Sequence, residues 1–385
     1  MTASLPLALA SLAVWLYLIT ARGGFWRASI RDDDESLPEP RSWPRVVAVV
    51  PARNEAEVIA ESLGSLLHQD YPGSFAVILV DDQSTDETAA IGRAAAIRVQ
   101  SSDRLEVVTG LPLPPGWAGK LWAMKQGVDH AANRPEPPSY VLFTDADIAF
   151  SGDALRHLVA RAEDHQLVLT SWMVKLRCES PAEQGLIPAF VFFFQMLYPF
   201  AWVNRADSET AAAAGGCMLV RLDALKRAGG IEAIRSSLID DCALGRKLKS
   251  VGSIWLGLTE RGYSLRRYPQ LGDIWRMVAR SAYDQLHYSP LLLTGVVAAM
   301  ALVFLAPPLF TLLGTGLTQL FGALAWVLMA LAFQPMLRFY QVSPLWGVAL
   351  PAIAALYLIF TLDSAYQYAR GRGGLWKGRV QAGRT

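Results

Sequence analysis

Residues 46–82 read VVAVVPARNEAEVIAESLGSLLHQDYPGSFAVILVDD. The opening residues, 46–51, are wholly apolar, as expected of a short strand buried on both faces. From 55 to 68 the apolar side chains Val58, Ile59, Leu63 and Leu66 recur at helical spacing, and 75–80 (FAVILV) is a second buried strand. The same alternation continues with a helix beginning near Glu87, LEVVT at 105–109, a helical stretch at 119–132 and YVLFT at 140–144. Strands alternating with helices of this length imply an α/β domain whose sheet is mainly parallel, with helices on its faces. In such sheets ligands bind beyond the carboxyl ends of the strands. Polar chemistry is therefore expected just after each strand, and it is there.

The flanks differ. Of 385 residues, 52% are hydrophobic and only 18% charged, against about a quarter charged in ordinary soluble proteins. The excess is concentrated at 5–20 and from about 290 to 362. Residues 5–20 are apolar and are followed by Arg22 and Arg27. Because the charge comes after the apolar run, this reads as a signal anchor with residue 22 onward in the cytoplasm, and a cleaved signal fits less well. Three apolar blocks near 290–306, 309–333 and 344–362 are each long enough, or nearly so, to cross a bilayer, with expected breaks at Pro307–Pro308 and at 334–344. A basic tail, 370–385, belongs by charge in the cytoplasm, yet three full spans would leave it outside. Either one block is re-entrant or interfacial, or the charge rule fails here. The aromatic-rich segment 186–203 is expected to lie at the bilayer interface, with a buried core segment as the other reading. A formal net charge of +1 gives no electrostatic case for nucleic acid. Cys178, Cys217 and Cys242 lack zinc spacing and read as small buried residues.

Four clusters fall at strand or helix ends. The first is Pro51-Ala-Arg53-Asn-Glu55. The second contains Asp81 and Asp82, where a carboxylate can accept from an imide N–H such as uracil presents; Ser84 with Glu87 reads as a capping box for the next helix. The third is Asp145-Ala-Asp147. Alternate residues of extended chain project to one side, and two carboxylates there suit a divalent cation that also holds diphosphate oxygens, Mg or Mn rather than zinc. The fourth, Asp240-Asp241, opens a helix. It fits either charge that complements the helix dipole or a general base toward an acceptor hydroxyl, and spacing does not separate the two. Lys120 lies near a helix start, where phosphate is favoured. Arg276 and Arg280 lie on an amphipathic helix before the C-terminal blocks and suit lipid headgroups or substrate.

With these motifs in view, the chain resembles the family 2 glycosyltransferases, inverting enzymes with the nucleotide-sugar-binding GT-A fold. The resemblance runs over about 46–285 through VVAVVPARNE, VILVDDQSTDET, GWAGKLWAMKQG, VLFTDAD, AAAAGGCMLVRLDALKRAGG and LIDDCALGRKLKSVG, in the family's order. VARSAYDQLHYSP and the GGLWKGR tail are similar to the bacterial hopene-associated members. The resemblance implies that Asp81 contacts the base, Asp147 is the principal metal ligand, Asp145 binds sugar or ribose, and Asp241 is the catalytic base. It further implies that Lys120 and Arg280 face the diphosphate, and that Gly215 and Gly216 let the chain pass close to sugar and acceptor. Pro51, Arg53, Glu55, Asp82 and Asp240 complete the expected substrate site. Ala52 and Arg53 stand where many members stack on the base, Asp240 replaces a usual Glu, and Ser281 rather than Trp follows Arg280.

The expected layout is an anchor helix at 1–28, a linker at 29–44, the glycosyltransferase domain at 45–272, an interfacial helix at 273–289, membrane spans at 290–369 and the basic tail. The expected function is transfer from a nucleotide-diphosphate sugar, a UDP-sugar, to a hopanoid or polyprenoid-type lipid at the cytoplasmic face of a bacterial inner membrane. The partners are then donor, lipid acceptor and bilayer. A processive polysaccharide synthase, or a non-catalytic membrane subunit that keeps the fold, are the alternatives; Ser281 argues against the first and the retained acidic clusters against the second.

Overall fold

A computed structural model describes residues 4–33 and 37–371, with the backbone of 375–376 and 379–380. Most of the expected basic tail lies outside the described residues. The chain forms two compact units.

The α/β unit comprises residues 30–177 and 202–267 of the described chain. Its strands are β1 (Val46–Ala52), β2 (Phe75–Asp81), β3 (Leu105–Thr109), β4 (Tyr140–Phe143), β5 (Ile148–Phe150), β6 (Leu169–Lys175), β7 (Met218–Arg221) and β8 (Ile254–Ser264). They form one sheet in the order β3-β2-β1-β4-β7-β6-β8-β5. The expected GT-A type of mixed sheet with flanking helices is present. β1 runs parallel to β2 and β4, whereas β7 is antiparallel to β4 and β6, and β5 is antiparallel to β8. All seven residues of β1 are buried, because helices cover both faces of the central strands, and that burial is what makes it read as an unbroken apolar run. Helix Gly119–Ala132 lies directly on β1 and β2. Gly127 permits the approach, since a Cβ there would stand 2.3 Å from Val49 Cγ1.

Register positions the site. Ala52 at the end of β1 is opposite Asp81 at the end of β2, and Val49 is opposite Phe143 at the end of β4. The loops carrying the first three clusters therefore leave the sheet at one edge. Two details differ from expectation. The helix after β2 is Thr88–Arg98 and has no Ser84 cap; Ser84 Oγ instead accepts from Asn54 N at 3.0 Å, and Asp86 Oδ1 accepts from Thr88 N at 3.1 Å. Within the stretch expected as a linker, Asp32 is buried, its Oδ2 accepting from Thr259 Oγ1 (2.8 Å) and Arg261 Nη1 (2.7 Å). That end of the segment is thus built into the domain beside β8.

The helical unit comprises residues 4–29, 178–201 and 268–371 of the described chain. Four of its helices are long and apolar enough to cross a membrane: Ser4–Ala21, Pro290–Leu313, Leu317–Phe339 and Trp346–Ala369. The break expected at Pro307–Pro308 is not there. The helix carries through both prolines after a π-helical turn at Ala301–Leu305 and stops at Gly314. Neither proline has an N–H to offer, so the Val303 carbonyl lacks a donor at the following fourth and fifth residues. Trp15 supplies one, its Nε1 donating to Val303 O at 2.7 Å. All three C-terminal helices reach spanning length, so length singles out no re-entrant block. Segment 186–203, expected to lie at the interface, falls mostly within helix Pro181–Leu197, which buries Leu186, Ile187 and Phe192 inside this unit. Phe192 packs on Phe25 and Phe333 with ring centroids 5.2 and 5.1 Å apart.

Candidate active site

The loops after β1 and β2 are laced together. Asn54, in the left-handed region at φ 52, accepts through Oδ1 from Thr85 N at 2.8 Å. Glu55 N donates to Thr88 Oγ1 (2.9 Å) and Ala56 N to Asp86 Oδ2 (3.2 Å). Arg53, expected at the substrate, ties the two loops, its Nη1 donating to Asp82 O at 2.5 Å and Gln83 O at 3.0 Å. Asp82 is fully buried at the start of this loop, and Pro51 is buried within β1. Asp81 is half-buried and accepts from Ser84 N at 3.2 Å, which leaves it the carboxylate of the pair that can meet a ligand.

A second group gathers around Lys120, the second residue of its helix. Its Nζ lies 2.8 Å from Asp145 Oδ1 and 3.0 Å from Asp240 Oδ2. Asp241 Oδ2 accepts from Gly215 N at 2.9 Å, and its Oδ1 accepts from Cys242 N at 2.7 Å. A Cβ on Gly215 would stand 3.3 Å from Lys120 Nζ and 3.4 Å from Asp241 Oδ2, so this backbone passes close against both charged groups. Gly216 is hemmed by Val174, whose Cγ2 would lie 2.7 Å from an added Cβ. Asp145, Lys120, Asp240, Asp241 and Gly215, far apart in sequence, thus share one cluster.

Burial and charge oppose each other here. Burial works against the Lys120 ammonium, but Asp145 and then Asp240 outweigh it and hold Lys120 charged well above the usual lysine range. Asp145 is raised, chiefly by burial, despite the pull of Lys120. Asp241 is lifted to about 6, by burial first and by the Asp240 charge second. A carboxylate so raised is a stronger proton acceptor than a surface aspartate and is still ionised at neutral pH.

The third group was not anticipated. Arg266, two residues beyond β8, donates through Nε to Asp147 Oδ2 at 2.6 Å and through Nη2 to Glu55 Oε1 at 2.9 Å. The β5–β8 register explains the meeting: Ile148 is opposite Ser264, and Leu265 N donates to Asp147 O at 2.7 Å. The Arg266-Arg267 pair obeys the same strand-end logic as the first clusters, but β8 carries exposed charge toward its end and does not read as a buried strand.

Asp145 and Asp147 offer hard oxygen donors of the kind Mg or Mn takes. Among the described residues, no three His, Cys, Asp or Glu side chains are gathered to hold a metal ion by themselves. Asp145 is paired with Lys120 and Asp147 with Arg266, so a cation held by these two acids would need diphosphate oxygens and water to complete its shell. Arg280 and Arg276 are exposed at the end of helix Leu271–Ala279 in the helical unit, and Arg276 pairs with Asp273 at 2.6 Å. A depression lined by Arg45, Val46, Ser74 and Glu136 lies at the opposite, amino ends of β1 and β2 and holds none of these groups.

The family model described as Glycosyl transferase family 2 matches residues 47–229, and that of Glycosyl transferase family group 2 matches residues 140–360. A 4,4'-diaponeurosporenoate glycosyltransferase of Staphylococcus aureus (strain MRSA252) is 36% identical over 112 residues, 29% of this chain. The match spans 26% of that relative's length. Among solved structures, a mannosyltransferase from Pyrobaculum calidifontis in complex with GDP-Man and Mn2+ superposes with a TM-score of 0.57 at 20% identity, covering 94% of this chain and 99% of its own.

Proposed function

The chain belongs to glycosyl transferase family group 2, and on that premise we propose that it moves a sugar, with inversion, from a nucleoside-diphosphate sugar to a hydroxyl-bearing lipid. The observation that carries the reading is the pairing of an activated carboxylate with a cation: Asp241, lifted to about 6, beside Lys120 held between Asp145 and Asp240.

In this reading Asp241 takes the proton of the acceptor hydroxyl as that oxygen attacks the anomeric carbon. The backbone N–H groups of Gly215 and Cys242 hold the Asp241 carboxylate in place. Lys120 faces the diphosphate and offsets its charge as it departs, while Asp145 orients sugar or ribose. Asp81 accepts from the imide of a uracil base, giving a UDP-sugar donor. Asp147 and Asp145 are the residues that would hold Mg or Mn, which when bound would supply charge neutralisation on the leaving diphosphate. An apolar, polyprenoid or hopanoid-type acceptor is supported by the four helices of spanning length and by the diaponeurosporenoate in the name of the Staphylococcus relative. We place the glycosyltransferase domain that follows Arg22 and Arg27 on the cytoplasmic side of a bacterial inner membrane, on the strength of those two charges.

Asp147→Ala should weaken donor binding in the presence of Mn2+ by at least about tenfold, the loss typical of removing even a partner that orients a metal ligand. Without Mn2+ the two proteins should bind UDP-sugar alike. Titration calorimetry with UDP- and GDP-sugars, with and without Mn2+, tests metal and base together; equal binding under every condition contradicts the assignment.

The pH profile is a second test. Protonated Asp241 cannot accept a proton, so kcat/KM should fall as pH drops through about 6. Because the folded value lies above the unfolded one, this group favours the folded state below the unfolded pKa, and that contribution is lost as pH rises through about 6. Acid loss of activity near pH 6 should therefore occur without a drop in melting temperature arising from Asp241.

A further inference from the structure

Asp147 is the carboxylate to which the proposed function gives the divalent cation, yet Arg266 already holds it. The guanidinium spans two acids from different strand ends: Nε meets Asp147 Oδ2 at 2.6 Å, while Nη2 meets Glu55 Oε1 at 2.9 Å and Oε2 at 3.2 Å. The Asp147 and Glu55 side chains are only 12% and 11% exposed. Two acids so nearly buried need a positive partner, and a rigid fork of donors can serve both where a lysine ammonium would serve one. Lys120 cannot fill this role, because it is engaged by Asp145 and Asp240.

We propose that Arg266 is the resident counter-cation of the metal position. It neutralises Asp147 and Glu55 while no divalent ion is present and ties the ends of β1, β4 and β8 together. It must release Asp147 Oδ2 before that oxygen can serve as a ligand. Its positive charge beside the position opposes a second cation, so Arg266 raises the divalent-ion concentration at which the site loads. Arg266 is thus a positioning residue for the acids, and its charge sets a threshold. The inference rests on the metal assignment above, and its test reads metal binding with no donor, acceptor or turnover involved.

The experiment uses full-length protein in detergent micelles and follows free Mn2+ by its electron paramagnetic resonance signal. Removing the charge in Arg266→Gln should tighten Mn2+ binding by about tenfold. Arg266→Lys keeps the charge but loses the fork, and should stay within about threefold of wild type. The melting temperature of Arg266→Gln should fall without metal and approach the wild-type value as Mn2+ saturates. Equal or weaker Mn2+ binding by Arg266→Gln overturns the inference alone, since wild-type binding would still support the metal assignment. The titration is repeated with UDP, which supplies diphosphate oxygens; if neither protein binds Mn2+ even then, the metal assignment falls and the inference with it. Should Arg266→Gln fail to fold, Arg266→Lys decides: a tenfold gain there would show that the fork's geometry, not its charge, governs loading, and the proposal is wrong.

Discussion

Asp241→Asn should lower the rate of sugar transfer by about 10²–10⁴, the usual contribution of a positioned general base, and leave donor binding within about twofold of wild type. The asparagine has the same shape and keeps an oxygen for one of the two backbone donors that hold Asp241, Gly215 N and Cys242 N. It has no basic oxygen for the acceptor proton. Opposing terms act on stability. The amide relieves a charge buried beside Asp240, but it turns an N–H toward one of those backbone donors. A melting temperature near wild type is the expected balance. Transfer at the wild-type rate with intact folding would mean that the proton leaves by another group, with Asp240 the nearest alternative.

Lys120→Met carries the largest expected cost in stability. Lys120 and Asp240 each have side chains only 15% exposed, and the ammonium is the shared partner of Asp240 and Asp145. Removing one member of a buried pair strands the other charge, at about 3–5 kcal/mol. Asp145 remains 36% exposed, so solvent screens its share and the lower end, about 3 kcal/mol, applies. For a unit of this size that is a fall of about 6–12 °C in melting temperature. Combining Lys120→Met with Asp240→Asn should recover part of the loss, because the stranded carboxylate is gone. If the double variant is no more stable than Lys120→Met alone, the ion pair is not what the lysine contributes. Donor binding should also drop in Lys120→Met, since the proposed function has Lys120 face the diphosphate.

The parts of the fold that could be read from sequence are those whose burial is total. Val46–Val50 and Phe75–Val80 sit mid-sheet with helices on both faces, so they appear as unbroken apolar runs. Helix Gly119–Ala132 was visible from its length and its glycine-lysine start. The strands on the far side of the sheet were not visible. β5 and β7 have three and four residues, too few for a period, and β8 mixes buried and exposed residues over its last turn of chain. The Arg266–Asp147 contact follows from the β5–β8 register, a non-local fact that no window of sequence carries. Lys120 meeting Asp145 and Asp240 was foreshadowed only as strand-end and helix-start positions; the distances come from the packing of three separate loops. Local rules failed where a better partner existed. Ser84 did not cap its helix because Asn54 N claims its hydroxyl, and Pro307 did not end its helix because Trp15 satisfies the carbonyl it leaves bare.

What the cluster of Asp145, Lys120, Asp240 and Asp241 does to a nucleotide sugar decides the proposed function. The direct measurement incubates the purified full-length protein with Mn2+, a UDP-sugar and a bacterial lipid extract, then follows released UDP and the lipid mass spectrum together. The predicted result is UDP release that depends on the lipid, a matching gain of one sugar mass on a polyprenoid or hopanoid species, and an inverted anomeric configuration in the product. Release of no nucleotide with any sugar donor, or a product whose anomeric configuration is retained, would contradict it.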